Sequence, residues 1–178
     1  GKDRWKTLGL MFWTLSSVTN CQKFPKTWQL LKKIPNVCAA SFNLLELNST
    51  IKPHNGNTDA IIRCHMGLDI PAPAPKCGFR VGDETRSWKN GEILMFCDAH
   101  NHTAWNNTQQ QRYVLVIDIF RPEFEHQSVG VSSKVMSQIY YDVARQKYSI
   151  INKLSKSKLF SKVLFGVYYC FFNLKIKS

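Results

Sequence analysis

The residues able to do chemistry are a few histidines and arginines. His54 begins HNG after Pro53, His65 closes RCH, and His102 lies four residues past Asp98 of Cys97-Asp98; His100 and His126 complete the set. Two histidines, usually with a carboxylate, can hold a non-haem Fe(II) and leave positions open for a co-substrate and oxygen. A carboxylate two residues after the first histidine would reach the same metal, because residues i and i+2 of a strand project to one face. That position is Gly56, so water or a halide would take the carboxylate's place. Arg63 and His65, also two apart, share a face of the strand AIIRCHMGL. Inside a β-rich core such a pair needs an anion, and a bound carboxylate is the obvious one. Asp69 lies on the same face but ~13 Å from His65, too far to share a metal. Ten residues after His102, Arg112 opens RYVLVIDIF. Alone it reads as a surface arginine; with His102 it reads as a buried fork awaiting a carboxylate, which it can grip with two parallel bonds.

The elements that must position these residues are mostly strands. Short apolar runs at 39–47, 60–70, 77–81, 92–96 and 112–120 are separated by PHNGNTD, PAPAPKCG, GDETRSWKNGE and NNTQQQ. Many short strands with such punctuation predict a β-sandwich or barrel. Asn90-Gly91 suits a hairpin turn, and the proline-rich 71–75 suits a loop. The first forty residues read as helix and loop, with TWQLLKKI ending before Pro35 as a helix should. After Pro122 the period returns to helix: Val135, Ile139, Val143 and Ile150 recur through 133–153.

A length of 178 residues predicts one domain with a substantial core. The expected division is a β core over 37–124 and a basic, aromatic helical extension over 125–178. The net charge is +12, and nine Lys and Arg against one acid place most of it between residues 134 and 178. That favours an acidic peptide, nucleic acid or an anionic membrane surface as partner. The tail carries no recognised nucleic-acid motif, so nucleic acid is excluded. No apolar run of 18 residues is present, and the tail's stretch of about a dozen between lysines reads as too short to span a bilayer. It suits a docked terminal helix or an interfacial helix on a membrane. Six scattered cysteines without a CxxC predict free thiols and a reducing compartment, hence a cytoplasmic location with possible membrane association. The sequons at Asn48, Asn101 and Asn106 carry little weight.

The segments PHNG, RCHMGLDIP, CGFRVGDETRSWKNGEILMFCDAHNHTAWNN and RYVLVIDIFRPEF, in this order and spacing, resemble the aspartyl/asparaginyl β-hydroxylase family. The likeness covers residues 39–124. It implies a double-stranded β-helix, the jelly roll of cupin-like proteins, mainly β with flanking helices. It implies Fe(II), 2-oxoglutarate as co-substrate and molecular oxygen. His54 and His102 would be the iron ligands, and the missing carboxylate at Gly56 is shared with the family. Asp98 would interact with the iron-bound water. Arg63 and His65 would contact the co-substrate, and Arg112 would pair with its distal carboxylate. The family has a small hydroxyl residue near the position of Asn43, so Asn43 is a departure among the co-substrate contacts.

A second resemblance is to bacterial lipid A hydroxylases. It rests on a WK pair near the start, an IPNV segment before the first strand, and a basic aromatic tail. That branch carries a carboxylate where this chain has Gly56. The expected reaction is hydroxylation of an unactivated C–H, foremost an Asp or Asn side chain of a peptide or protein. The alternatives are a lipid acyl chain at a membrane surface and a non-catalytic jelly-roll binding module.

Overall fold

A computed structural model describes residues 4–177. The chain divides into two compact units at Pro122/Glu123. The first is built from ten strands, β1 Trp5–Phe12, β2 Leu15–Ser16, β3 Val37–Leu45, β4 Ser49–His54, β5 Ile61–Asp69, β6 Cys77–Val81, β7 Glu84–Arg86, β8 Ile93–Phe96, β9 His102–Asn106 and β10 Arg112–Phe120. Two short helices, α1 Val18–Lys23 and α2 Pro25–Leu31, lie between β2 and β3. The strands form two sheets, in the orders β2-β1-β3-β10-β5-β8 and β4-β9-β6-β7. Every pairing between them is antiparallel. This is the double-stranded β-helix.

Alternation along the strands separates two cores. Outward residues Leu10, Ala40, Cys64, Leu115 and Ile117 pack with Cys21 and Leu31 of the helices. Inward residues Cys77, Phe79, Ala104 and Val114 pack with Trp88, and Val116, Leu94 and Phe96 lie against them. The same alternation turns Arg112 and Asp118 of β10 inward with Val114 and Val116, because strand side chains repeat every two residues. β10 sets the register for its neighbours. Val116 stands opposite Ser41 and His65, and Asp118 opposite Ala39 and Arg63.

The first segment differs from its sequence reading. Residues 5–12 are a strand, joined to β2 by Trp13 and Thr14 at positive φ. WKTLGLMF has apolar residues close enough together to pass for a helix face, but β3 offers it a long partner and the pairing decides the conformation.

The second unit is helical: α3 Ser128–Lys147, α4 Ser149–Leu154 and α5 Lys158–Lys177. Phe172 of α5 is buried, with its ring 4.8 Å from that of Tyr140 on α3. The Tyr141 hydroxyl donates to Ser161 Oγ at 2.9 Å. The opposite face of α5 is covered by nothing among the described residues: Leu159, Val163, Val167, Phe171 and Leu174 are all more than half exposed. The sequence reading made this stretch too short to cross a bilayer. The helix is 20 residues long, and by length and composition it is long and apolar enough to cross one. Its end lysines are helical residues, which is why counting only the apolar run between them gave too short an element.

Candidate active site

His54 ends β4 and His102 begins β9, and the strand register places them directly opposite each other. Their ring centroids are 4.2 Å apart. Each ring has Nδ1 2.8 Å from a backbone oxygen two residues earlier, that of Lys52 for His54 and of His100 for His102. A carbonyl only accepts, so Nδ1 carries the proton and donates. In the neutral form of each ring Nε2 is then the lone pair. Two imidazoles anchored through Nδ1 at this spacing are a donor set that fits a divalent metal. Among the described residues no cluster of three or more His, Cys, Asp or Glu is placed to hold a metal. Water would complete the coordination.

Gly56 has a steric reason to be glycine. A Cβ there would lie 1.8 Å from Asp98 Oδ2, so the Asp98 carboxylate fills the volume a side chain at 56 would need. The Gly56 N–H donates to the Asp98 backbone oxygen at 2.8 Å. Asp98 Oδ1 stands 3.5 Å from His102 Nε2. Burial pushes the Asp98 carboxyl upward in pKa while the Arg63 guanidinium opposes that push. Burial also lowers His102, keeping its Nε2 unprotonated.

Arg63 does share a face with His65, but its anions are protein carboxylates. Its Nε and Nη2 donate to Asp118 Oδ1 and Oδ2 at 2.7 Å each, and its Nη1 donates to Asp98 Oδ1. The expectation that Arg63 needs a bound carboxylate is corrected by these contacts. The sequence reading missed Asp118. Its signal was a lone acid at an inward position of the otherwise apolar RYVLVIDIF.

Arg112 is different. It is 2% exposed, its Nε has no hydrogen-bond partner, and no ion pair involves it among the described residues. Its guanidinium lies over the Trp88 ring, 4.6 Å from the centroid. Burial pushes its pKa down to about 10, a small nearby influence of Cys77 acting the other way. A buried guanidinium without an anion is costly, and a carboxylate arriving from outside would remove that cost.

His65 faces the same space. Trp88 Nε1 donates to its Nδ1 at 3.2 Å. Indole N–H is only a donor, so Nδ1 is the lone pair and Nε2 carries the proton. Burial, reinforced by Arg112 and Arg63, holds His65 well below the usual imidazole pKa and keeps it neutral. Trp88, unmarked by the sequence reading, is thus the residue that sets both partners. A ladder of rings joins the two halves of the site: His102 to Phe96 at 5.3 Å, Phe96 to His65 at 5.0 Å, and His65 to Trp88 at 6.1 Å between centroids. Trp88, Phe79, Leu94 and Phe96, with the exposed Ile93 and Met95, also line a cavity of about 670 Å³.

Asn43 faces inward opposite Val114, but its amide is engaged. Oδ1 accepts from Trp5 Nε1 at 3.2 Å and Thr7 Oγ1 at 2.7 Å, and Nδ2 donates to Ser41 Oγ at 2.8 Å.

A hydroxylase from Rhizobium tropici, the ornithine lipid ester-linked acyl 2-hydroxylase, is 36% identical over 67% of this chain and 42% of its own length. The human aspartyl/asparaginyl beta-hydroxylase is 30% identical over 60% of this chain and 14% of its own length. The chain thus spans less than half the length of either relative. Among solved structures, the cupin domain of an XRE-family regulator from Enterobacter cloacae aligns with TM-score 0.46 at 9% identity, over 67% of this chain and 99% of that one. The model of the Aspartyl/Asparaginyl beta-hydroxylase family matches residues 1–122 without interruption by the helical unit, and the chain belongs to that family.

Proposed function

We propose that this chain is an Fe(II)- and 2-oxoglutarate-dependent hydroxylase acting on an unactivated C–H bond. The observation that carries the reading is Arg112, a buried guanidinium whose Nε lacks a partner and which has no protein anion among the described residues. In this reading His54 and His102 hold the metal through Nε2, and Arg112 grips the distal carboxylate of 2-oxoglutarate. His65 donates its Nε2–H to the same co-substrate. Asp98 accepts a hydrogen bond from a water beside His102. Phe79, Phe96 and Trp88 keep bulk water away, which strengthens each of these contacts. Bound iron would supply the activation of molecular oxygen, coupled to decarboxylation of the co-substrate. Arg112 alone would serve a non-catalytic carboxylate-binding module as well; the opposed pair His54 and His102 beside it favours the enzyme.

For the substrate, the sequence favours an Asp or Asn side chain of a peptide. Two observations move our reading toward the acyl chain of a membrane lipid. The relative at 36% identity acts, by its name, on an ester-linked acyl chain. The exposed apolar stripe of α5, flanked by Lys158, Lys162, Lys175 and Lys177, suits an anionic membrane surface. Peripheral membrane association through this helix is therefore part of the proposal. The test incubates the full chain with Fe(II), 2-oxoglutarate and either bacterial lipid vesicles or an Asp/Asn peptide library, and reads the products by mass spectrometry. A gain of one oxygen on an acyl chain is expected. A gain on peptide alone would replace the lipid reading with the peptide one, and a gain on neither would count against both.

A further inference from the structure

We propose that Asp118 is a positioning residue for the metal pair: acting through Arg63, it holds the Asp98 carboxylate beside His102. This rests on the reading of His54 and His102 as metal ligands.

Asp118 is 3% exposed and faces the space between the sheets, opposite Arg63 in strand register. Its two oxygens accept from Nε and Nη2 of Arg63 at 2.7 Å each, a two-point clamp that fixes the plane of the guanidinium. Arg63 Nη1 is then the group aimed at Asp98 Oδ1. Asp98 Oδ1 stands 3.5 Å from His102 Nε2, the atom left free for a metal. Asp118 makes no hydrogen bond or ion pair with either histidine among the described residues; its hydrogen bonds reach Asp98 through Arg63, and its charge also acts on the Asp98 carboxyl directly.

The clamp decides how Asp98 is held. A guanidinium without another anion takes a carboxylate by two parallel bonds. Freed of Asp118, Arg63 would close on Asp98 in that way and draw it from His102. With Asp118 occupying one edge of the fork, Arg63 spares Asp98 Oδ2. That oxygen lies in the volume a side chain at 56 would fill. The anion missing from position 56 is thus supplied from position 98, and Asp118 keeps it there.

The test is a Mn(II) titration followed by electron paramagnetic resonance, with the visible spectrum of Co(II)-loaded protein, on wild type, Asp118→Asn, Asp98→Asn and the double variant. Asp118→Asn should weaken Mn(II) binding about 10–100-fold, as loss of a group orienting a metal site does, and should shift the Co(II) bands. The double variant should bind no more weakly than Asp98→Asn, since both changes act through one carboxylate. If Asp118→Asn does not fold, the paired variant Arg63→Met/Asp118→Leu takes its place. It removes the clamp whole and leaves Asp98 without the guanidinium that holds it beside His102, and the same weakening is expected. Unchanged affinity and bands, or losses that simply add, would overturn the role of Asp118. Wild-type protein that takes no Mn(II) would overturn the metal-pair reading and this inference with it. Tight wild-type binding matched by Asp118→Asn overturns this inference alone.

Discussion

At the scale of single residues, Arg112 and His65 make opposite demands on the empty fold and on a loaded one. The buried Arg112 charge, stacked on Trp88 with Nε unpartnered, costs stability as long as no anion pairs with it. Arg112→Met keeps the volume and removes the charge. It should leave the ligand-free melting temperature unchanged or raise it, while abolishing the stabilisation that 2-oxoglutarate gives wild type. That stabilisation is about 2.7 kcal/mol at a hundredfold excess over Kd. A clear drop in the ligand-free melting temperature would mean that Arg112 has a structural partner instead. His65 has a pH signature. Its pKa in the fold lies well below 6.5, from burial first and then Arg112 and Arg63. The unfolded chain takes up a proton near 6.5 that the folded chain refuses, so the unfolded state binds more protons below that pH. Stability contributed here is full above about pH 6.5 and declines as pH falls toward the folded value. Urea midpoints at pH 7.5 and 5.5 should therefore separate, and His65→Gln, whose carbonyl still accepts from Trp88, should narrow the gap.

At the scale of elements, what could be read in the sequence followed from how much apolar pattern each segment carries. RYVLVIDIF and AIIRCHMGL are long, apolar and bounded by turn residues, so β10, β5 and the inward phase of Arg63, His65 and Arg112 were legible. STIKPH and HTAWN are short and polar, and β4 and β9 escaped notice as strands although they carry the two histidines. The histidines were found from their flanking residues, not from any pattern that shows two strand ends meeting. Asp118 and Trp88 were illegible for another reason. Their partners lie 55 and 23 positions away, and only strand register brings such pairs together. α5 shows the same limit for length, since its lysines hid a 20-residue helix. The exposed stripe makes its own prediction. Val163→Asp and Val167→Asp, at positions 57% and 59% exposed, should leave the fold intact and remove co-sedimentation of the full chain with anionic vesicles. Wild-type binding should weaken with salt yet persist, since each lysine contributes only about 1 kcal/mol and the apolar face is indifferent to salt. Equal binding by the charged variants would dismiss α5 as the membrane contact.

At the scale of the whole molecule, the jelly roll brings His54 and His102 from the ends of two strands of one sheet, and Arg63, His65 and Arg112 from two adjacent strands of the other. In the proposed reading neither sheet alone completes the site, and the rings of Phe96, His65 and Trp88 run between the two sets. Turnover without an added substrate tests this joining most directly, because the proposed function requires the co-substrate to meet both sheets at once. The measurement is succinate formed from 2-oxoglutarate with Fe(II) and oxygen, for wild type and for His54→Ala, His102→Ala and Arg112→Met. The expected result is succinate from wild type, none above background from either histidine variant, and a Michaelis constant for 2-oxoglutarate raised at least tenfold in Arg112→Met. Full succinate formation by a histidine variant, or an unchanged Michaelis constant in Arg112→Met, would contradict the account.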